Sequence, residues 1–149
     1  MKVKDIMTAD VKTVNADTPV KEVAGKLFDN ALTGMPVVSG DEVIGIVTEG
    51  DVVMENANVH IPSYINILSS FLYLEDPDAV EHDLKKVLAL TAEDLMTEEV
   101  ITVDPEDSVT DLATIFKEKH INPIPVVDKN DKLVGIVSRS DIVKLLAKE

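Results

Sequence analysis

The sequence predicts an α+β fold: two β-α-β-β-α units packed face to face and related by a pseudo-twofold axis, with a helical insert between them. Three observations carry this reading. The first is an internal repeat. Asp5-Ile6-Met7-Thr8 returns as Asp94-Leu95-Met96-Thr97, and Pro36-Val37-Val38 returns as Pro125-Val126-Val127, both at an offset of 89. Gly45-Ile46-Val47-Thr48-Glu49-Gly50-Asp51 then returns as Gly135-Ile136-Val137-Ser138-Arg139-Ser140-Asp141 at an offset of 90. One residue gained in a turn accounts for the step, because loops tolerate insertion. The second observation is that short β-branched runs and helical stripes follow one another in the same order in both copies. The third is the copy number: two repeats are too few for a solenoid, which leaves a face-to-face pair.

Residues 1–56 form the first unit, 57–91 the insert and 92–149 the second unit. In the first, Val11 to Val14 reads as a short strand. Thr18-Pro19 opens a helix, with Thr18 as N-cap and Pro19 at the first helical position. Val20, Val23, Ala24, Leu27, Phe28 and Ala31 make its apolar stripe, and Leu32-Thr33-Gly34 ends it. Met35 to Val38 and Val43 to Val47, joined by the polar turn Ser39-Gly40-Asp41-Glu42, predict a hairpin. A helix from about Gly50 to Asn56 completes the unit.

The second unit copies this order. Val100 to Val103 is its first strand. Ser108 caps a helix, with Asp111 completing a capping-box pattern, and Val109, Leu112, Ala113 and Phe116 form the stripe. Ile124 to Val127 and Leu133 to Val137 give the hairpin around an Asp128-to-Lys132 turn, and Ile142 to Ala147 the last helix. In the insert, Ile61, Ile65, Leu68, Phe71, Leu72 and Leu74 are too apolar for a flexible linker. Asp76-Pro77 opens a second helix there, with Val80, Leu84, Val87 and Leu88 on one face. A surface of this kind needs cover, either within the chain or in a homodimer.

Composition narrows the function. Formal net charge is −14, which disfavours nucleic acid and anionic lipid as partners. There is no cysteine, so no disulfide framework and no thiolate chemistry. No apolar run approaches the roughly 20 residues of a membrane span. Met1-Lys2-Val3-Lys4-Asp5 lacks the apolar stretch of a signal peptide, which points to the cytoplasm. His60, His82 and His120 show no metal-ligand spacing, and no serine lies in a nucleophile motif. The expectation is therefore no enzyme, no metal and no catalytic cofactor.

The chemistry that remains sits at the two strand-to-helix turns. Thr48 and Ser138 each precede a helix start, and Asp51 and Asp141 fall in its first turn, where a carboxylate suits the dipole. Such a turn also exposes backbone N–H groups that can hold an anion or a ribose. D-[IL]-M-T, the P-V-V strands and G-I-V-[TS]-x-x-D, each present twice in one order, resemble a tandem CBS-domain protein, a family named for the cystathionine β-synthase regulatory domain.

The resemblance implies units packed through their sheets, with two clefts between them that take adenosine-containing ligands: AMP, ADP, ATP or S-adenosylmethionine. Asp51 and Asp141 would take ribose hydroxyls, and Thr48 and Ser138 the phosphate or ribose. The adenine would lie against the opposite unit. Asp141 would then work with Lys12, Leu32, Thr33 and Met35, and Asp51 with Ile101, Ile121, Asn122 and Ile124. The residues ahead of each Pro-Val strand, Thr33-Gly34 and Asn122-Pro123, supply no charge for a triphosphate. Arg139 would aid a monophosphate in the Asp141 cleft, and Glu49, its counterpart, would favour a neutral or cationic adenosyl ligand in the other. The implied function is a stand-alone regulatory, energy-sensing module. The alternative is a structural interaction module whose clefts are closed by side chains and whose insert binds a protein partner.

Overall fold

The computed structural model describes residues 1–53 and 88–149. The expected insert helices over residues 57–87, and the end of the helix expected to reach Asn56, lie outside the described residues. In the first unit β1 (Val14–Asn15) leads to α1 (Val20–Asp29), β2 (Gly34–Ser39), β3 (Glu42–Thr48) and α2 (Glu49–Val52). After the insert come α3 (Ala92–Leu95), α4 (Val109–Lys119), β4 (Ile124–Val127), β5 (Leu133–Val137) and α5 (Arg139–Lys148). A short 3-10 turn at Val3–Asp5 precedes β1.

In the first unit β1 runs parallel to β2, pairing Val14 with Val37, and β2 runs antiparallel to β3. In the second, β4 and β5 form the matching hairpin. The strand expected at Val100 to Val103 shrinks to a single parallel bridge, Val103 to Val126. That bridge is the repeat of Val14 to Val37, so the geometry persists where the extended strand does not. The first strand is likewise shorter than the Val11-to-Val14 reading. Both hairpins form as expected, and the last helix starts three residues before the expected Ile142.

The core falls into two clusters that match position for position. Val14, Val23, Leu27, Met35, Val37 and Val47 build the first. Val103, Leu112, Phe116, Ile124, Val126 and Val137 build the second. Each cluster also takes residues from the leading segment of the other unit. Val3 is fully buried in the second cluster, and Ala92 and Leu95 are buried in the first. Backbone bonds hold this exchange. Thr8 pairs with Ile136 of β5, and Thr97 pairs with Ile46 of β3. A Cβ built on Gly45 would collide with the Met96 side chain, and one on Gly135 with Met7. The D-[IL]-M-T methionines therefore need bare glycine beneath them, which accounts for Gly at the head of each G-I-V segment.

Helix starts follow the repeat with two corrections. Ser108 caps α4, its Oγ accepting from the Asp111 amide at 3.0 Å, but the Asp111 carboxylate does not close the expected capping box. Thr18 does not cap α1. Its hydroxyl accepts from the Asn15 amide at 3.0 Å, and Pro19 takes the cap position. The Val20 amide instead donates to the Leu90 carbonyl at 2.9 Å, so returning chain closes a helix end that a side chain would otherwise cap. Phe28, expected on the buried stripe of α1, is 86% exposed. The stripe narrows to Val20, Val23 and Leu27.

Candidate functional site

The two units meet where the segments ahead of the Pro-Val strands touch. Asn122 Nδ2 donates to Thr33 Oγ1 at 3.3 Å, and a Cβ on Gly34 would stand 2.8 Å from Pro123 Cδ. Leu133 donates its amide to the Asp41 carbonyl at 2.9 Å, tying the hairpin ends together. Two cavities flank this junction, one beside each S/T-x-x-D helix start.

The first cavity, about 410 Å³, is lined by Thr48 and Asp51 on one side and by Ile101, Ile121 and Asn122 of the second unit on the other. The second, about 520 Å³, brings Ser138 and Asp141 opposite Lys12, Leu32 and Thr33. Each thus joins one unit's helix start to the other unit's segment just ahead of β1 or of the Val103 bridge, and to the stretch that follows its α1 or α4. Met35 and Ile124 line neither cavity. Both are fully buried in the core. Met35 to Val38 are buried at consecutive positions, so β2 is covered on both faces, and its first core residue cannot also face a cleft.

The two aspartates have the same first duty. Asp51 Oδ2 accepts from the Thr48 amide at 2.9 Å and from the Thr48 hydroxyl at 3.0 Å. Thr48 Oγ1 in turn accepts from the Asp51 amide at 3.4 Å, closing a capping box. Asp141 Oδ2 accepts from the Ser138 amide at 2.7 Å and the Ser138 hydroxyl at 3.0 Å. The Ser138 and Ser140 hydroxyls lie 2.7 Å apart. In both aspartates one carboxylate oxygen holds the helix start. Among the described residues Asp51 Oδ1 accepts nothing, and Asp141 Oδ1 has Lys144 Nζ at 3.7 Å. A carboxylate has acceptor capacity for both tasks.

Position 139 departs from expectation. Arg139 lines both cavities. Its amide donates to Asn122 Oδ1 at 2.9 Å, and its guanidinium reaches the Phe116 carbonyl of α4 at 3.4 Å. Glu49 lines neither cavity. It borders a shallow groove with Ala24, Leu27, Phe28, Val52 and Val53. The expected contrast between Glu49 and Arg139 within the clefts is therefore corrected: α2 turns Glu49 toward α1, away from the first cavity. The contrast in charge survives through other residues. Lys144 joins Lys12 in the second cavity, with Asp10. Glu99 and His120 line the first, where Ile101 replaces Lys12.

Sequence reading missed Glu99, His120 and Thr97 in one cavity and Asp10, Asn30 and Lys144 in the other. The repeat itself held the signal, since Asp10 and Glu99 are matched and so are Lys12 and Ile101. His120 and Ala31 are matched as well, and both take left-handed backbone, with φ of 52° at each. His120 follows the end of α4 as Ala31 follows the end of α1. Among the described residues no group of three or more potential metal ligands occurs, and no helix is long and apolar enough to cross a membrane.

The fold and the paired clefts define a tandem module: two equivalent α+β units with a cleft at each crossing between them. The chain belongs to the CBS domain family, whose model matches residues 3–58 and 92–148. It is 31% identical over 156 residues to an uncharacterised protein of Methanocaldococcus jannaschii, covering 98% of this chain and 91% of that one. It spans only 24% of a homoserine O-acetyltransferase of Methanosalsum zhilinae, at 30% identity over 148 residues. Among solved structures it is similar to the CBS domain pair of protein MJ0100 in complex with 5′-methylthioadenosine and S-adenosyl-L-methionine. The TM-score is 0.72 at 23% identity, covering 99% of this chain and 97% of that one. CBSX2 of Arabidopsis thaliana in complex with AMP also gives a TM-score of 0.72 at 23% identity, with coverage of 99% and 96%.

Proposed function

We propose that this chain is a regulatory CBS pair, not an enzyme, that binds an adenosine-containing ligand in each cleft and works as a cytoplasmic homodimer. The observation that carries the reading is the divided carboxylate. Asp51 and Asp141 each hold a helix start with one oxygen and keep acceptor capacity on the other, beside a cavity walled by apolar residues of the opposite unit. Vicinal ribose hydroxyls are donors suited to that oxygen. Leu32 and Ile121 offer apolar surface to a base. The solved CBS pairs with bound 5′-methylthioadenosine, S-adenosyl-L-methionine and AMP support the ligand class.

Regulation follows from the exchange of segments. Each cleft is built from both units, so a ligand bridges them and favours whichever relative arrangement it binds better. It can shift that equilibrium by no more than its differential affinity. The competing interaction-module reading requires clefts closed by side chains, and the two cavities count against it. Titration calorimetry with AMP, ATP, adenosine and S-adenosylmethionine tests the proposal. Saturable binding of at least one is expected, with ATP weaker than AMP. A flat response to all four at millimolar concentration would return the interaction module to first place.

A further inference from the structure

We infer that the two clefts compete for one cation, Arg139, so that anionic adenosyl ligands bind with negative cooperativity while uncharged ones do not. This rests on the ligand reading above and concerns how the same two clefts are regulated. Arg139 is the single arginine of the chain, and it stands in the wall shared by both cavities with Asn122 and Pro123. Its backbone is fixed there by the 2.9 Å bond to Asn122 Oδ1. Its guanidinium is held loosely: Nη2 to the Phe116 carbonyl at 3.4 Å is a long contact with a neutral acceptor. A phosphate offers a charge-assisted and shorter bond, so either cleft can draw the guanidinium to itself, and only one can do so at a time.

The surroundings decide the order. The Asp141 cleft adds Lys12 and Lys144 to Arg139, against Asp10 and Asp141. Among the described residues the Asp51 cleft adds His120 to Arg139, against Asp51 and Glu99. The first AMP therefore enters the Asp141 cleft and takes the guanidinium. The Asp51 cleft is left with two carboxylates facing any second phosphate. It then favours an uncharged or cationic adenosyl ligand, which gives mixed occupancy when both kinds are present.

The test measures one cleft with its neighbour filled and with its neighbour blocked. Leu32→Trp fills the Asp141 cleft with a side chain, and AMP is titrated calorimetrically into the Asp51 cleft that remains. We expect AMP to bind there about tenfold tighter than the second AMP binds the unmodified chain at low salt, the scale of one charge-assisted hydrogen bond. The gap should shrink at high salt, and adenosine should show none. Equal AMP constants in the two experiments, or the same tenfold gap for adenosine, overturn the inference and leave the ligand reading intact. Should Leu32→Trp fail to fold, Arg139→Gln decides: its two AMP steps should lie closer together than those of the unmodified chain, the remaining spacing coming from Lys12 and Lys144, and an unchanged AMP spacing overturns the inference. If the unmodified chain binds neither AMP nor adenosine, the ligand reading falls and takes the inference with it.

Discussion

Asp141 and Asp51 carry two roles on one carboxylate, and substitution separates them. Asp141→Ala removes the acceptors for the Ser138 amide and hydroxyl together with the oxygen left for a ribose. We expect adenosine binding in that cleft to weaken by roughly 1.5–3 kcal/mol, as for hydrogen bonds to a charged group, and the fold to lose about 1 kcal/mol from the helix start. Calorimetry and urea denaturation report the two losses independently. A loss of stability with unchanged affinity would leave Asp141 a helix-start residue alone. Ala31 gives the opposite sign. It holds left-handed backbone, φ 52°, where a Cβ costs about 1–2 kcal/mol. Ala31→Gly removes that cost and adds roughly 0.5–1 kcal/mol of backbone entropy loss, so a net gain approaching 1 kcal/mol is expected in denaturation midpoints. The aspartates were legible in the sequence because a capping box is local chemistry. Met35 and Ile124 were misplaced because residues at the mouth of a cleft and residues beneath it share the same apolar pattern. Only burial on both faces of β2 and β4 tells them apart.

At the scale of elements, hairpins, helices and their order were readable from the repeat, since each depends on hydrophobic period and turn chemistry. The exchange of leading segments was not. A repeat says that Met7 and Met96 are equivalent, but not that each packs on the far copy's glycine. The exchange gives a compensation test. Gly135→Ala should destabilise by about 1–3 kcal/mol through overpacking. Met7→Ala should recover part of that loss by making room, and Met96→Ala should recover none, since it sits on Gly45. Recovery by Met96→Ala instead would place the segments on their own units. The same N-terminal segment is pinned by Lys2 and Lys4, which both pair with Glu106. Their hydrogen bonds hold the Glu106 carboxyl down at about 2, from an ordinary 4.5. A depressed carboxyl contributes stability that is complete above its unfolded value and lost as pH falls toward the folded one. Thermal midpoints of the unmodified chain and Glu106→Gln should therefore differ at pH 6–7 and converge between pH 4.5 and about 2. Because all three side chains are about half exposed, salt should narrow the difference.

At the scale of the molecule, charge and exposed apolar surface pull association in opposite directions, and their balance has a definite sign. Two copies each carrying −14 repel at a distance, so contact must come from apolar groups. Phe28 is 86% exposed beside Val53, itself 48% exposed, on the outward side of α1 and α2. Val143, the repeat of Val53, is 63% exposed on α5. An aromatic side chain left in water is a large area to bury, roughly 1.5–3 kcal/mol for a phenylalanine, and a symmetric dimer buries it twice. We therefore expect a homodimer of about twice 16.2 kDa, held through the α1–α2 surface around Phe28. Added salt should tighten it, because screening removes repulsion and leaves apolar burial in place. A dimer held by surface ion pairs would respond the other way. Phe28→Glu should raise the dissociation constant by roughly two orders of magnitude or more, from two lost burials per dimer. Sedimentation velocity at about 20 mM and 300 mM salt, on the unmodified chain and on Phe28→Glu, reads all of this. A monomer at every concentration, or a Phe28→Glu variant that dimerises as well as the original, would remove the α1–α2 surface from the interface.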